Sequence, residues 1–220
     1  MNDFSDKKLD YKQYVVDSKL RYFKPHATKI EKSFAEEISF SLSQNSKFIN
    51  PKFFYDSEGS SLFESICLLP EYYPTRTELD ILKNLESDLL PFLDEETKLV
   101  ELGSGASVKT RVLIDIFTKL QTKTEYFPID ISEILAESSE QLLKDYATLH
   151  ITGIIDTYEG GLEFLKNYDE TKNLIIFLGS SFGNFTPNNG KAFLKNIFST
   201  MKSGDLFLIG LDLVKDKNIL

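Results

Sequence analysis

The sequence has little that could form a disulfide or a metal site. It contains one cysteine, Cys67, and two histidines, His26 and His150. A single cysteine cannot form an internal disulfide, so the composition favours a reducing compartment such as the cytoplasm. Cys67 lies in an apolar helical pattern, where we expect it to pack rather than to act as a nucleophile. We predict no metal site, because these three residues show no ligand-like clustering.

The chain also lacks clustered positive charge and long apolar runs. Its formal net charge is -9 and its pI is about 4.9, which argues against a nucleic-acid-binding surface. No apolar run has the length of a membrane span, and the first residues contain no apolar signal-peptide core. We therefore expect a cytoplasmic protein that acts on neither nucleic acid nor membrane.

Two regions differ in their patterns. Residues 1–92 are rich in helical patterns and aromatic side chains, whereas residues 93–220 alternate apolar runs with amphipathic segments. The predicted strands are 98–102, 125–129, 151–156, 173–178 and 206–211, and the predicted helices between them are 108–120, 132–149, 162–167 and 187–201. This alternation predicts an α/β fold with a parallel sheet, whose ligands bind beyond the carboxyl ends of the strands.

The most informative segment is Glu-Leu-Gly-Ser-Gly at 101–105, between the first of these strands and its helix. Gly103 and Gly105 allow a sharp turn or a close ligand, and the following helix offers N–H groups to an anion. The third glycine of a dinucleotide fingerprint is missing, which disfavours a dehydrogenase, and the segment is not a Walker loop either, because no Gly-Lys-Ser/Thr follows. Glu101 is instead typical of methyltransferases that use S-adenosylmethionine. An ordinary strand-to-helix turn is the alternative.

Polar residues follow the next two strands as well. Asp130 is suitably spaced to bind the ribose of a nucleoside, or it caps the helix that begins near Ser132. After the third strand, Asp156 is a candidate for an adenine contact and Tyr158 for stacking on the ring. The alternative at this position is a simple loop opening.

Two further motifs carry polar or aromatic side chains. Asn184 ends a run of glycines and serines after the fourth strand, where its amide can bind the ammonium or carboxylate of an amino acid, or can form a turn. Tyr72 and Tyr73 stand before Pro74, which we expect to fix an extended link ahead of a helix over 78–89. Both tyrosines are candidates for packing or for ligand contact.

Together these segments resemble the histidine N-alpha-methyltransferase family of the ergothioneine pathway, which includes fungal enzymes that methylate the amine of prenylated tryptophan. The matching segments occur in family order from about residue 30 to residue 216. They are Tyr55-Asp56, Leu62-Phe63-Glu64, residues 70–78, residues 101–105, residues 109–111, Asp130, residues 179–184 and residues 211–216. The resemblance implies a Rossmann-like methyltransferase core over 93–220, and a helical region over 1–92 that contributes to the substrate pocket.

The resemblance also implies a role for individual residues. The cofactor-binding residues would be Gly103, Lys109 at the methionine part of S-adenosylmethionine, Asp130 at the ribose, and Thr157 and Tyr158 at the adenine. Tyr72 and Asn184 would contact the amino-acid substrate, Tyr55 and Phe63 would shape the pocket, and Ser181 could help bind substrate. No residue is assigned as a catalytic base.

The implied activity is methylation of the α-amino group of an amino acid, with histidine giving trimethylhistidine. Family members continue beyond residue 220, so we expect a sheet that is incomplete at its C-terminal edge and a C-terminally truncated chain. The alternative is a non-catalytic module that binds cofactor or a partner, or half of a split enzyme with a separate C-terminal half.

Overall fold

The computed structural model describes residues 10–26, 33–54, 56–105, 107–132 and 134–216. The chain forms two compact units. The first comprises Met1–His26 and Thr77–Leu220, and the second comprises Ala27–Arg76. The predicted boundary at 92/93 differs from this division, because the N-terminal segment and residues 77–92 group with the core.

A seven-stranded sheet forms the centre of the first unit, in the order β1-β2-β5-β4-β3-β6-β7. Its strands are β1 (Tyr11–Val15), β2 (Leu20–Pro25), β3 (Lys98–Leu102), β4 (Thr124–Asp130), β5 (Leu149–Ile155), β6 (Asn173–Phe177) and β7 (Leu206–Ile209). Only the β1–β2 pair is antiparallel among these neighbours. The predicted Rossmann-like α/β fold is confirmed. Strand order reverses between β3 and β6, and ligands bind at such a switch point.

Helices of the first unit cover both faces of its sheet, and the second unit has helices of its own. The helices are α1 (Phe34–Ser43), α2 (Ser57–Cys67), α3 (Tyr73–Lys83), α4 (Glu86–Leu89), α5 (Val108–Leu120), α6 (Ile134–Asp145), α7 (Tyr158–Tyr168) and α8 (Pro187–Thr200), with 3₁₀ turns at Pro51–Phe54, Leu90–Phe92 and Ser181–Asn184. Within the described ranges, no helix combines the length and apolar character that crossing a membrane requires.

The core consists of two apolar layers, one on each face of the sheet. Neighbouring residues of β3 belong to opposite layers, since Leu99 is in the same apolar cluster as Phe117 of α5 whereas Val100 is in the same cluster as Phe164 of α7. All five residues of β3 are buried. Burial on both faces explains why the central strands are nearly continuous apolar runs, and it places polar chemistry at the strand ends.

The N-terminal region is not wholly helical, which corrects the expectation for residues 1–92. β1 and β2 form a hairpin closed by Asp17, whose Oδ1 accepts from the backbone N–H groups of Lys19 (2.7 Å) and Leu20 (2.9 Å). β2 then pairs with β5 in parallel. The extended link predicted at Pro74 is also wrong, because Pro74 lies in the first turn of α3, where its missing N–H is tolerated.

The second unit holds α1 and α2, each with a capped N-terminus. Ser33 and Glu36 form a reciprocal capping box at α1, and Asp56 accepts from the N–H of Gly59 (2.8 Å) at α2. Arg76 donates to the carbonyls of Leu69, Pro70 and Tyr72 at 2.7, 2.5 and 3.2 Å. This single guanidinium therefore fixes the loop that carries the adjacent tyrosines.

Candidate cofactor site at the switch point

The glycine turn after β3 leads directly into an uncapped helix. Gly103 and Gly105 have φ angles of 74° and 46°, in the left-handed region that favours glycine. Ser107, at the N-cap position of α5, makes no capping hydrogen bond through its side chain. The N-termini of α2, α7 and α8, by contrast, are capped by Asp56, Thr157 and Thr186. The start of α5 is therefore suited to an anionic or polar ligand.

Asp130 lies at the end of β4, beside this turn. Its Oδ2 accepts from the N–H of Gly105 (3.3 Å) and its Oδ1 from the N–H of Ser132 (2.8 Å). Burial raises the pKa of Asp130, although these backbone hydrogen bonds oppose the shift. The acid thus stabilises its own turn, and it also stands at the glycine turn, as the ribose role requires. Because α6 begins at Ile134, these two hydrogen bonds do not cap that helix.

Glu101 is buried beneath the turn. Its Oε2 accepts from the hydroxyls of Thr110 (2.6 Å) and Tyr126 (2.5 Å), which joins β3, β4 and α5. The pKa of Glu101 is raised to about 7, because desolvation by burial, together with the charge of Asp130, outweighs the hydroxyl donors and Lys109, which lower it. The glutamate of the sequence motif therefore supports the turn from below.

One buried hydroxyl in the turn fits a site for a polar ligand. Ser104 is 5% exposed, and its Oγ has no hydrogen-bond partner among the residues that the structure describes. Buried hydroxyls normally have a partner. Together with the left-handed Gly103 and the uncapped start of α5, this hydroxyl fits the amino-acid and ribose groups of a nucleoside cofactor.

The residues after β5 have definite structural contacts. The Thr157 hydroxyl caps α7 by accepting from the N–H of Gly160 (3.2 Å). Asp156 accepts from the N–H of Thr157 (2.7 Å) and from the hydroxyl of Tyr11 in the hairpin. The ring of Tyr158 packs edge-on against Phe177, with 5.5 Å between the ring centroids. The adenine role of Thr157 and Tyr158 stays a prediction.

Tyr158 also faces the glycine turn. A Cβ added at Gly103 would lie 2.8 Å from the Tyr158 hydroxyl, closer than real Cβ contacts allow. Two of the predicted cofactor residues, on different loops, are therefore neighbours. The contact gives a packing reason for glycine at position 103 in addition to its φ angle.

Lys109, in the first turn of α5, forms an ion pair with Glu78 of α3. Both oxygens of Glu78 accept from the N–H of Gly179, at 2.9 and 3.0 Å. A Cβ added at Gly179 would lie 3.4 Å from Nζ of Lys109. These three residues thus connect the turns that follow β3 and β6, at the point where the strand order reverses.

Asn184 ends the 3₁₀ turn Ser181–Asn184 after β6 and is exposed. Ser180, which precedes this turn, has a φ angle of 56°, and its hydroxyl accepts from the N–H of Asp212 (2.9 Å). Ser181 donates to the carbonyl of Leu178 (3.2 Å), so its hydroxyl also stabilises the turn. The exposed amide of Asn184 is compatible with substrate binding, which stays a prediction.

Tyr72 and Phe63 lie in the second unit, with ring centroids 6.0 Å apart and the planes 80° to one another. Phe63 lines a groove of about 490 Å³ between α2 and the 3₁₀ turn Pro51–Phe54. Tyr55 lies outside the described residues. The substrate roles predicted for Tyr72 and Phe63 are not tested by these contacts.

A larger apolar groove of about 660 Å³ runs along α8, between Phe182 and Phe198. None of the predicted site residues lines it. Volume alone therefore does not identify the functional site of this molecule. The polar strand ends and the uncapped helix are more informative than either groove.

Comparison with known protein families assigns the chain. Residues 34–220 match the family described as "Histidine-specific methyltransferase, SAM-dependent". The chain belongs to this family. This confirms the resemblance based on the sequence motifs, and the matched segment contains every predicted site residue.

Curated members of the histidine-specific methyltransferase family are similar over most of the chain but are themselves longer. Histidine N-alpha-methyltransferase of Mycolicibacterium smegmatis is 36% identical over 181 residues, which are 82% of this chain and 56% of that protein. Ergothioneine biosynthesis protein 1 of Neurospora crassa is 32% identical over 74% of this chain and 19% of its own length. A 4-dimethylallyltryptophan N-methyltransferase of Claviceps purpurea is 28% identical over 80% of this chain and 52% of its own.

Two residues of this site, Glu78 and Tyr126, have no role that the sequence predicts. Glu78 ends the Pro-Glu-Tyr-Tyr-Pro-Thr-Arg-Thr-Glu motif, and Tyr126 lies inside an apolar strand. The only available signal for Glu78 was its place in that motif. Tyr126 gave none, because a tyrosine in a strand is normally a packing residue.

Proposed function

We propose that this protein transfers methyl groups from S-adenosylmethionine to the α-amino group of an amino acid, with histidine as substrate and trimethylhistidine as end product. Membership of the histidine-specific family supports the reaction. The proposed binding mode depends chiefly on one observation, the contact between Asp130 and the glycine turn at the ends of adjacent strands.

The cofactor-binding residues have distinct proposed tasks. Gly103 leaves its side-chain space open, Asp130 accepts from the ribose hydroxyls, and Lys109 pairs with the methionine carboxylate. Thr157 and Tyr158 border the adenine. When bound, S-adenosylmethionine supplies an electrophilic methyl group on a sulfonium.

The main task of the remaining site residues is positioning. The amine must be uncharged and aligned with the methyl group, and good alignment can contribute roughly 7–11 kcal/mol to a reaction of this kind. Tyr72 and Asn184 are proposed as the contacts of the amino-acid substrate. Aromatic faces stabilise a quaternary ammonium product by about 0.5–2 kcal/mol.

Calorimetry and a methylation assay test the proposal. S-adenosylhomocysteine should bind the wild-type chain, and Asp130→Asn should weaken binding about 10–100-fold, since charge-assisted hydrogen bonds contribute about 1.5–3 kcal/mol each. The control is Asp145→Asn, which changes a half-exposed carboxylate paired with Arg111. Equal affinity of wild type and Asp130→Asn contradicts the ribose role.

Mass spectrometry of histidine incubated with the protein and S-adenosylmethionine tests the reaction itself. Mass increments of one, two and three methyl groups are expected. Binding without turnover would instead identify a cofactor-binding module. Turnover that requires a second polypeptide supplying the rest of the family sequence would identify a split enzyme.

A further inference from the structure

Glu78 lies at the switch point, where it contacts Lys109 after β3 and Gly179 after β6. It is anionic, its side chain is 15% exposed, and it reaches from α3 over the carboxyl ends of β3, β6 and β7. A Cβ added at Gly210, directly after β7, would lie 1.8 Å from its Oε1. The carboxylate is therefore packed closely among three loops.

Lys109 has this carboxylate as its ion-pair partner. A lysine side chain has many rotamers, and a fixed partner reduces the entropy lost when it binds a ligand. Glu78 is itself held by two hydrogen bonds from the N–H of Gly179. The backbone after β6 therefore sets the direction of a cation that stands after β3.

We propose that Glu78 is a positioning residue for the cofactor, which acts through Lys109 on the amino-acid end of S-adenosylmethionine. The inference rests on the proposed function, because Lys109 is there assigned to the methionine carboxylate. The ammonium of Lys109 has three donors. In this proposal Glu78 accepts from one of them, and the others are available to the carboxylate of the cofactor.

The negative charge of Glu78 also has an effect on ligand affinity that opposes the orienting effect. A carboxylate beside Lys109 reduces the positive potential that attracts a second carboxylate. If this effect dominated, removing the charge would tighten binding. Because Glu78 is anchored by backbone hydrogen bonds and is mostly buried, the orientation of Lys109 is the effect that we expect to dominate.

The test compares two ligands that differ at the amino-acid end. S-adenosylhomocysteine has this end, and 5′-methylthioadenosine lacks it. Glu78→Gln keeps the shape and an acceptor for the N–H of Gly179 but loses the charge. It should weaken S-adenosylhomocysteine about tenfold in calorimetry and change the affinity for 5′-methylthioadenosine less than twofold. In a Lys109→Met background, Glu78→Gln should have no further effect on either ligand.

Control variants separate this effect from general damage. Glu86→Gln removes the ion pair with Lys119, near the C-terminal end of α5, and should leave both affinities unchanged. If Glu78→Gln does not fold, Glu78→Asp still tests the inference, because its shorter carboxylate should weaken only S-adenosylhomocysteine. Equal loss for both ligands, unchanged affinity or tighter S-adenosylhomocysteine binding overturns the inference. Failure of the wild type to bind either ligand overturns the proposed function instead.

Discussion

Two independent constraints require glycine at position 103. Its φ of 74° disfavours any residue with a Cβ by about 1–2 kcal/mol, and the added atom would also meet the Tyr158 hydroxyl. The ring of Tyr158 is packed against Phe177 and Phe193, so the hydroxyl cannot easily move away. Gly105 has only the first constraint, since a Cβ there meets no atom of the described residues within 4 Å.

Gly103→Ala should therefore destabilise the protein more than Gly105→Ala. We expect a difference of about 1–3 kcal/mol in the free energy of unfolding, which is the usual cost of overpacking. Urea denaturation measures it. Adding Tyr158→Phe to Gly103→Ala should recover most of the difference, because the contacting oxygen is removed. Equal stability of the two alanine variants would contradict this account.

Glu101 makes stability depend on pH. Its pKa is raised to about 7 in the folded protein, from an ordinary value of 4.5. Between these values the folded state retains a proton that the unfolded state has lost. The free energy of unfolding therefore falls as pH rises from 4.5 to 7, by up to about 3 kcal/mol from this group.

Glu101→Gln removes this dependence while keeping an acceptor for Thr110 and Tyr126. Urea denaturation at pH 5, 6 and 7 measures the difference in unfolding free energy between wild type and variant. As the pH rises, this difference should shift in favour of the variant. Glu86→Gln, whose carboxylate is half-exposed, serves as the control. A difference that is constant across this range would refute the prediction.

At the scale of the element, α7 packs tightly on the sheet at Gly161. A Cβ at this position would lie 2.4 Å from Cγ2 of Ile129 in β4, which is fully buried. In a helix interior alanine is favoured over glycine by about 1 kcal/mol. Overpacking against a strand costs about 1–3 kcal/mol, so the steric term should exceed the gain in helix propensity.

Gly161→Ala should thus lower the melting temperature despite its better helix propensity. For a chain of this size, each kcal/mol changes the melting temperature by roughly 2–4 °C. Gly183→Ala is the matched control, because a Cβ there meets nothing within 4 Å among the described atoms. A melting temperature for Gly161→Ala equal to or above that of the wild type would show that α7 can move away from the sheet.

Elements with strong local patterns were predictable from the sequence. The bounds of β3 and α5 agree with their predicted ranges, 98–102 and 108–120. The hairpin was missed because β1 is mostly exposed and lacks a buried apolar run, and because β2 is held in place by β5, far along the chain. Helix α3 was predicted to start after Pro74, although proline is tolerated in a first helical turn.

The part of the site that is formed by the ends of the strands was predictable from the sequence. Asp130 meets Gly105 because parallel neighbouring strands end at one edge of the sheet, which follows from the order of the elements alone. The pairing of Glu78 with Lys109 was not predictable, because it depends on how α3 packs over the sheet. No local pattern specifies that packing.

At the scale of the whole molecule, the predicted cofactor residues all lie in the first unit. A ligand that binds only the folded state stabilises it by about 2.7 kcal/mol at one hundred times its dissociation constant. Ligand binding should therefore raise the temperature at which this unit unfolds. The unit Ala27–Arg76 contains Tyr72 but none of the predicted cofactor residues.

S-adenosylhomocysteine at this concentration should raise the melting temperature of the first unit by about 5–10 °C. Differential scanning calorimetry measures the shift. At the same ligand concentration, Asp130→Asn should show about half of this shift or less, because the ligand concentration is then only about 1–10 times its dissociation constant. An equal shift in both proteins would place the ligand elsewhere.

The pairing of Leu20 with Ile151 also has a consequence for synthesis. During translation the amino-terminal hairpin leaves the ribosome long before the strand that it must join. At about 5–20 residues per second, the delay is on the order of ten seconds. Completion of the sheet edge is thus postponed until about 130 further residues have been made, and the nascent hairpin meanwhile has an unpaired edge.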